Sequence, residues 1–149
     1  MRALLAFVVL FLVGCGSDRT VIGDTMPTPL TKTAGDPARG EALFITREQG
    51  HCILCHRVTG LSAEFQGNLG PTLDGVADRL SPAQLRLRIV DYDAVVPGAT
   101  MPSYFRTQGL TQVGQNHAGQ TVLSAQDIED IIAYLTALKT TTPMGGEMQ

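Results

Sequence analysis

The sequence is poor in aromatic residues: it has five Phe, three Tyr and no Trp among 149 residues, beside 16 Gly. This composition predicts one small domain with a limited core and long loops. The formal net charge is only −3, so the chain lacks the basic surface that nucleic-acid binding requires. We expect a bound group to supply apolar volume that the side chains themselves do not provide.

Cysteine is also scarce, with three residues in all. Two of them form the pattern Cys52-x-x-Cys55-His56, which is the attachment signature of a c-type haem. The two-residue spacer lets each thiol add to one vinyl group of the same macrocycle, and the histidine that follows lies beneath the iron as its proximal ligand. The pattern therefore predicts one covalently bound haem c.

Two other interpretations of the cysteine pair are less favoured. A thioredoxin-like dithiol should follow a strand in a βαβ pattern, and no such pattern precedes Cys52. A structural zinc site needs four ligands, and the only other cysteine, Cys15, belongs to an export segment. His51 is adjacent to Cys52 and cannot reach the far side of the iron, so we expect a surface or loop position for it.

No apolar run is long enough to span a bilayer, which takes about 20 residues. Arg2 and the apolar residues 3–13 instead resemble the start of a signal peptide. The run ends at Cys15 in a pattern similar to a bacterial lipobox, which predicts a lipoprotein signal over residues 1–14 and a lipidated Cys15. The alternative is an ordinary cleavage site nearby. In either case we expect the chain to leave the cytoplasm for the periplasm, anchored to a membrane if Cys15 is acylated.

Residues 16–35 are rich in Thr, Gly, Pro and Ser, which predicts a flexible linker between anchor and domain. Met26 lies in this segment and is a poor iron ligand, because a mobile segment would lose entropy on holding it. The haem domain is predicted over residues 36–140, followed by a disordered tail over residues 141–149.

Capping patterns indicate three helices. Residues 85–89 alternate as a strand would, but the clear N-cap before them and the lack of a partner strand favour a helix, so the domain is predicted to be all-α. Asp36-Pro37 starts a helix that should run to about Glu48, and Ser81-Pro82 starts one that should run to about Asp91. Ser124 starts the last helix, whose isoleucines and leucines repeat at helical spacing. The residues from 57 to 78 are expected to be mostly loop.

The sixth iron ligand is expected in the loop over residues 97–109. Met101 precedes a proline that would stiffen the loop, and a thioether is a soft ligand that raises the reduction potential. The alternative ligand is His117, in a loop rich in Gly, Gln and Asn.

Three arginines are candidates for the haem propionates, although a solvated face is the favoured prediction for them: Arg86, Arg88 and Arg106.

Several stretches beyond the haem signature are distinctive. Together with residues 52–56 they are residues 35–40, 65–71 (FQGNLGP), 85–91 (LRLRIVD), Met101-Pro102 with Tyr104, and 123–139. They resemble the SoxX family, the small monohaem cytochromes of the SoxAX complexes of bacterial thiosulfate oxidation, and the resemblance covers about residues 36–139. The lipobox is a departure, because members of the family are generally soluble in the periplasm.

The resemblance implies a class I cytochrome c fold, in which the N- and C-terminal helices cross around the haem. It also implies that the carbonyl of Pro71 accepts the Nδ1–H of His56. The expected role is acceptance of electrons within L-cysteine S-thiosulfotransferase, whose partner cytochrome SoxA joins thiosulfate to a cysteine of the carrier SoxYZ. The electrons would then pass to a small cytochrome c. No catalytic residue is expected in this chain beyond the haem ligands.

Two other functions remain open from the sequence alone. The first is a free-standing, membrane-tethered monohaem electron shuttle that serves a respiratory oxidase. The second is an enzyme in its own right, such as a peroxidase with an open iron position. The first alternative needs no stable cytochrome partner, and the second needs an iron that Met101 does not block.

Overall fold

The computed structural model describes residues 20–111 and 113–140. Within these residues the chain forms four α-helices and no strand, which confirms the predicted all-α class. The helices are α1 (Pro37–Ile45), α2 (Val76–Arg79), α3 (Pro82–Val90) and α4 (Ala125–Ala137). No helix in the described part of the chain is both long enough and apolar enough to cross a bilayer.

The first and last helices pack against each other, as the sequence predicted. Gly40 lies at the contact, where a Cβ would collide with the carbonyl oxygen of Asp130 in α4. Glycine is therefore needed at this position to let the two backbones meet. Phe44 and Tyr134 extend the contact with ring centroids 5.5 Å apart. Residues of both helices line the same cavity as the cysteines of the haem motif.

The predicted helix starts are confirmed, while one helix end is not. Asp36 caps α1 by accepting from two backbone N–H groups, and Ser81 and Ser124 each form a reciprocal capping box. α1 ends at Ile45 rather than near Glu48, because the backbone of Thr46 is already extended, with φ −67° and ψ 123°. The short helix α2 lies in the region predicted to be mostly loop.

A buried carboxylate ties the start of α1 to α4. Asp130 accepts from the backbone N–H of Asp36 and from Gln126, both at 2.9 Å, and forms an ion pair with Arg39. Burial acts to raise the pKa of Asp130, but the hydrogen bonds from Asp36, Gln126 and Arg39 outweigh it, so the net pKa is lowered. The carboxylate is therefore held in its charged form at neutral pH.

Residues 20–35, which we call the N-terminal strap, lie against the helical domain. Met26 is only 3% exposed and belongs to the core. Its N–H donates to the carbonyl of Ala83 at 2.9 Å, and the N–H of Leu30 donates to Glu129 at 2.8 Å. The prediction of a free flexible linker is therefore wrong for the strap, because the composition did not reveal these long-range partners.

A buried ion pair joins the strap to α3 and α4. The guanidinium of Arg86 donates to both carboxylate oxygens of Glu129, at 2.7 and 2.9 Å, and to the carbonyl of Met26 at 2.8 Å. Both ionic side chains are at most 7% exposed. The predicted solvated position is thus wrong for Arg86, which satisfies its charge internally.

Candidate functional site

The haem motif begins with one 3₁₀ turn, Cys52–Leu54. His51 precedes it with a φ of 45°, the one non-glycine residue in the described chain with a positive φ. The N–H groups of Cys55 and His56 both donate to the carbonyl of Cys52, at 3.1 and 2.9 Å. This turn brings the two cysteines and the histidine close together.

The loop over residues 65–71 folds back onto the motif. The N–H of Gly67 donates to Ile53 at 2.7 Å, and the N–H of Gly70 donates to Cys55 at 2.8 Å. A Cβ on Gly70 would lie 2.5 Å from Cε1 of His56. The backbone at Gly70 therefore packs directly on the imidazole ring, and any larger residue would displace that ring.

The imidazole of His56 has its orientation fixed by a backbone carbonyl. Its Nδ1 lies 2.8 Å from the oxygen of Pro71, at the position that the sequence resemblance implied. A carbonyl oxygen has no hydrogen to give, so Nδ1 must carry the proton and donate. The Nε2 lone pair is then free to bind a metal, which is the tautomer that a proximal ligand needs.

These residues line a cavity of about 370 Å³. Its lining includes Cys52, Cys55, His56 and Met101, so two thiols, an imidazole and a thioether line the same cavity. The remaining wall is mainly apolar and includes Phe44, Leu73, Leu85, Ile89, Leu123 and Ile131. An apolar cavity with this set of donors fits a haem c attached through both thiols.

The loop that carries Met101 is held by its neighbours. The hydroxyl of Ser103 donates to Asp91 at 2.7 Å, and the N–H of Tyr104 donates to the carbonyl of Ile89 at 3.1 Å. The hydroxyl of Tyr104 also donates to the carbonyl of Gly50, at 3.1 Å. Tyr104 therefore connects the methionine loop to the residues just before the haem motif.

Burial dominates the electrostatics at this site. It raises the pKa of the Cys52 thiol to about 12, and the nearby Cys55 adds to the effect. It also raises the pKa of Tyr104 well above its ordinary value. Tyr104 is therefore neutral at physiological pH and acts as a hydrogen-bond donor.

The other residues considered from the sequence lie in different places. His117 is exposed, in the 3₁₀ turn Gln115–His117, and is not part of the cavity lining, whereas His51 is half-buried and lines the cavity. Met26 lies in the core away from that lining. Cys15 falls outside the described residues.

The other two arginines that were candidates for the haem propionates have separate partners. Arg88 lines the cavity and pairs with Asp24 at 3.2 Å, and Arg106 pairs with Asp91 and Asp93, each at 3.2 Å. Among residues 20–111 and 113–140, no three His, Cys, Asp or Glu side chains are grouped as a metal site would require.

Reasoning from the individual residues did not assign a function to Gly70 or Tyr104. Both lie in stretches that carry the family resemblance, and that was the one signal in the sequence that could have found them. Their roles depend on contacts with His56 and Gly50, which spacing alone does not reveal.

The comparisons with known proteins agree with this geometry. Residues 37–139 match the family Cytochrome c. A chain of the structure described as "Crystal structure of SoxXA from P. pantotrophus" is 31% identical, with a TM-score of 0.74; the match covers 80% of this chain and 93% of that one. No curated protein sequence matches the chain significantly. The chain thus belongs to the cytochrome c family, as a SoxX-type monohaem member with the class I fold and one covalently bound haem c.

Proposed function

We propose that this protein is the electron-accepting subunit of a SoxAX-type complex, an L-cysteine S-thiosulfotransferase of thiosulfate oxidation. The observation that carries the proposal is the likeness to a chain of the SoxXA structure, which extends over most of both chains. Membership of the cytochrome c family alone would support electron transfer without indicating the pathway. The partners proposed are a SoxA-type cytochrome, a SoxYZ-type carrier and a small cytochrome c that receives the electrons.

Cys52 and Cys55 would hold the haem through thioether bonds, and His56 and Met101 would bind the iron on its two faces. Pro71 fixes the proton of His56 on Nδ1 through the 2.8 Å contact, which leaves Nε2 for the metal. The bound group supplies reversible one-electron chemistry. An iron held by both side chains would offer no open position to a substrate, which suits electron transfer rather than catalysis.

The proposed division of labour follows from the chemistry of the pathway. Joining thiosulfate to a carrier cysteine forms a sulfur–sulfur bond and releases two electrons, so the reaction needs an acceptor. The SoxA-type partner would form that bond. This chain would take the electrons one at a time and deliver them to the small cytochrome.

The proposed location is the periplasm, with the N-terminus attached to a membrane by acylation of Cys15. The support is the lipobox-like end of the apolar segment, which lies outside the described residues. Acylation of one cysteine is a modification that mass spectrometry of the purified protein detects directly. The electron-transfer role does not depend on the anchor, since the haem ligands all lie in the domain.

The test is reconstitution with purified partners. We expect the haem-loaded protein to be inactive alone, and we expect carrier-linked thiosulfate and reduced acceptor cytochrome to appear when the SoxA-type and SoxYZ-type proteins are added. Activity of this chain alone would reject the division of labour. The absence of any stable cytochrome partner in the native host would favour the free-standing shuttle, and rapid cyanide or peroxide binding would favour a peroxidase with an open iron position.

A further inference from the structure

The N-terminal strap begins with an exposed apolar turn. Ile22 and Thr25 bridge each other through two backbone hydrogen bonds, at 2.9 and 3.1 Å, and Gly23 takes a φ of 60° between them. Val21 is 48% exposed and Ile22 is 61% exposed. Two large aliphatic side chains are therefore presented to the surroundings by a tight turn, which we call the strap turn (residues 21–25).

The strap turn is held to the domain by Asp24 and Met26, which follow its two exposed aliphatic residues. The carboxylate of Asp24 accepts from Gln84 at 2.9 Å and from Arg88 at 3.2 Å, both on α3. Immediately after the turn, Met26 is buried in the core and bound to Ala83. The turn therefore keeps a constant position relative to α3.

This packing places the start of the domain close to Cys15 along the chain. Only six peptide steps separate Cys15 from Val21, and a fully extended chain of that length spans at most about 20 Å. A linker free up to residue 35 would instead reach about 70 Å. If Cys15 carries an acyl chain, the strap turn lies within about 20 Å of the residue at the membrane surface.

We propose that the strap turn seats in the headgroup region of a phospholipid bilayer and holds the haem domain against the membrane in one orientation. This inference rests on the acylation of Cys15 in the proposed function. The lipid on Cys15 would hold the chain at the membrane, and a second apolar contact close to it would limit the orientations of the haem domain. Val21 and Ile22 provide apolar area, and the ion pair with Arg88 offsets the repulsion between Asp24 and anionic headgroups.

The experiment compares two single-cysteine variants of the full haem-loaded protein, Ile22→Cys and Val122→Cys. Val122 is a matched control, since it is also aliphatic and 55% exposed but lies before α4. In both variants the other cysteines are blocked by haem or acyl groups. Each protein is reconstituted in vesicles of phosphatidylethanolamine and phosphatidylglycerol, and the rate of reaction with a charged maleimide is measured. An unacylated form that carries Cys15→Ser and is secreted through an ordinary signal peptide provides the reference rate in water, and the haem spectrum verifies folding.

We expect vesicles to slow the labelling of Ile22→Cys by at least about tenfold relative to the reference, because a thiol in an apolar environment has a raised pKa and a smaller thiolate fraction. Labelling of Val122→Cys should change little. Equal, fast labelling of both variants, with Cys15 shown to be acylated by mass spectrometry, would overturn the inference. Slowing of Ile22→Cys in the reference form on adding the SoxA-type partner, or on raising the concentration of this chain, would overturn it in favour of a protein interface.

Absence of the acyl group on Cys15 would also overturn the inference. None of these outcomes affects the electron-transfer proposal, because reconstituted thiosulfate transfer is measured separately and in solution. A failure of that reconstitution, in turn, would leave the labelling result intact. The two proposals therefore fail in different experiments.

Discussion

The two proposed iron ligands are held by different kinds of contact. His56 is fixed by backbone groups: a carbonyl accepts from its Nδ1, and the main chain at Gly70 packs on its ring. The loop of Met101 is instead held through side chains, with Ser103 bound to Asp91 and the hydroxyl of Tyr104 bound to Gly50. The proximal side is therefore set by local chain geometry, whereas the distal side depends on contacts that single substitutions can remove.

The proximal contacts also come from a short stretch of chain. The amide of Gln66 bonds both the N–H and the carbonyl of Val58, at 2.7 and 3.1 Å, and thereby closes the loop that carries Gly70 and Pro71. The distal loop draws on α3 and on the residues before the haem motif. We expect the proximal ligand to be placed early in folding, before the distal loop closes on the bound haem.

The largest expected effect is on the distal side. Met101→Ala removes the thioether, so the weak near-infrared band of sulfur–iron ligation should disappear. The reduction potential should fall by on the order of 0.1 V or more, since axial ligands set haem potentials over about 0.8 V. Absorption spectroscopy and potentiometric titration measure both. His117→Ala is the control and should retain the band. Absence of the band from the native protein, with a potential that changes in His117→Ala and not in Met101→Ala, would move the ligand to His117.

Gly70→Ala tests the proximal side. The new methyl group would lie 2.5 Å from the imidazole of His56, so the ring or the loop must move. We expect a loss of about 2–3 kcal/mol in the free energy of unfolding, as is typical of overpacking. Gly114→Ala is the matched control, because the nearest atom to its Cβ lies 3.9 Å away and its φ is not in the left-handed region. Urea unfolding that gives equal stability for the two variants would contradict the contact described here.

One carboxylate on the proximal side and one on the distal side are expected to respond to acid. The N–H of Thr59 and then its hydroxyl lower the pKa of Asp74, which closes the proximal loop. The N–H of Gly98 and then Arg106 lower the pKa of Asp93, before the methionine loop. Because both folded-state pKa values lie below the unfolded value of about 3.9, the stabilisation is complete above that pH. It is lost as the pH falls through the folded-state values.

We therefore expect the near-infrared band to be unchanged from neutral pH down to the ordinary Asp range and to weaken only below it. Asp93→Asn should reduce that acid dependence and leave the proximal loop unaffected. Asp74→Asn should instead reduce the acid dependence of unfolding. Spectra and circular dichroism recorded against pH measure the two effects, and loss of the band near neutral pH in the native protein would show that another group controls the loop.

The smallest expected effect is that of Pro71→Ala. The substitution keeps the carbonyl that accepts from His56, and it mainly increases the freedom of the unfolded chain. We expect a loss of about 0.4–1 kcal/mol in stability and an unchanged near-infrared band. Thermal unfolding monitored by haem absorbance measures it. A large change in the spectrum would mean that the proline ring itself, and not its carbonyl, sets the position of the imidazole.

Local patterns in the sequence predicted the helical frame well. Asp36, Ser81 and Ser124 cap helices as predicted, because a cap acts on N–H groups two or three residues away. The haem motif is likewise a local pattern. The end of α1 was placed three residues late, since no glycine or proline marks the point where Thr46 leaves the helix.

Long-range pairing accounts for what the sequence did not predict. The strap was expected to be free because its composition is that of a linker, yet Met26 reaches the core and Leu30 binds Glu129. Arg86 was expected to be solvated because arginine usually is, and its partner lies 43 residues away. The packing of Gly70 on His56 is a contact of the same kind, made by a loop whose path no periodicity records.

The account depends most on covalent attachment of one haem through Cys52 and Cys55. Mass spectrometry of the intact protein, matured in a bacterium competent for cytochrome c assembly, tests it most directly. The account predicts a mass increase of one haem that survives denaturation and is lost in the Cys52→Ala, Cys55→Ala double variant. An unmodified mass for the native chain, from a preparation without Soret absorbance, would contradict it.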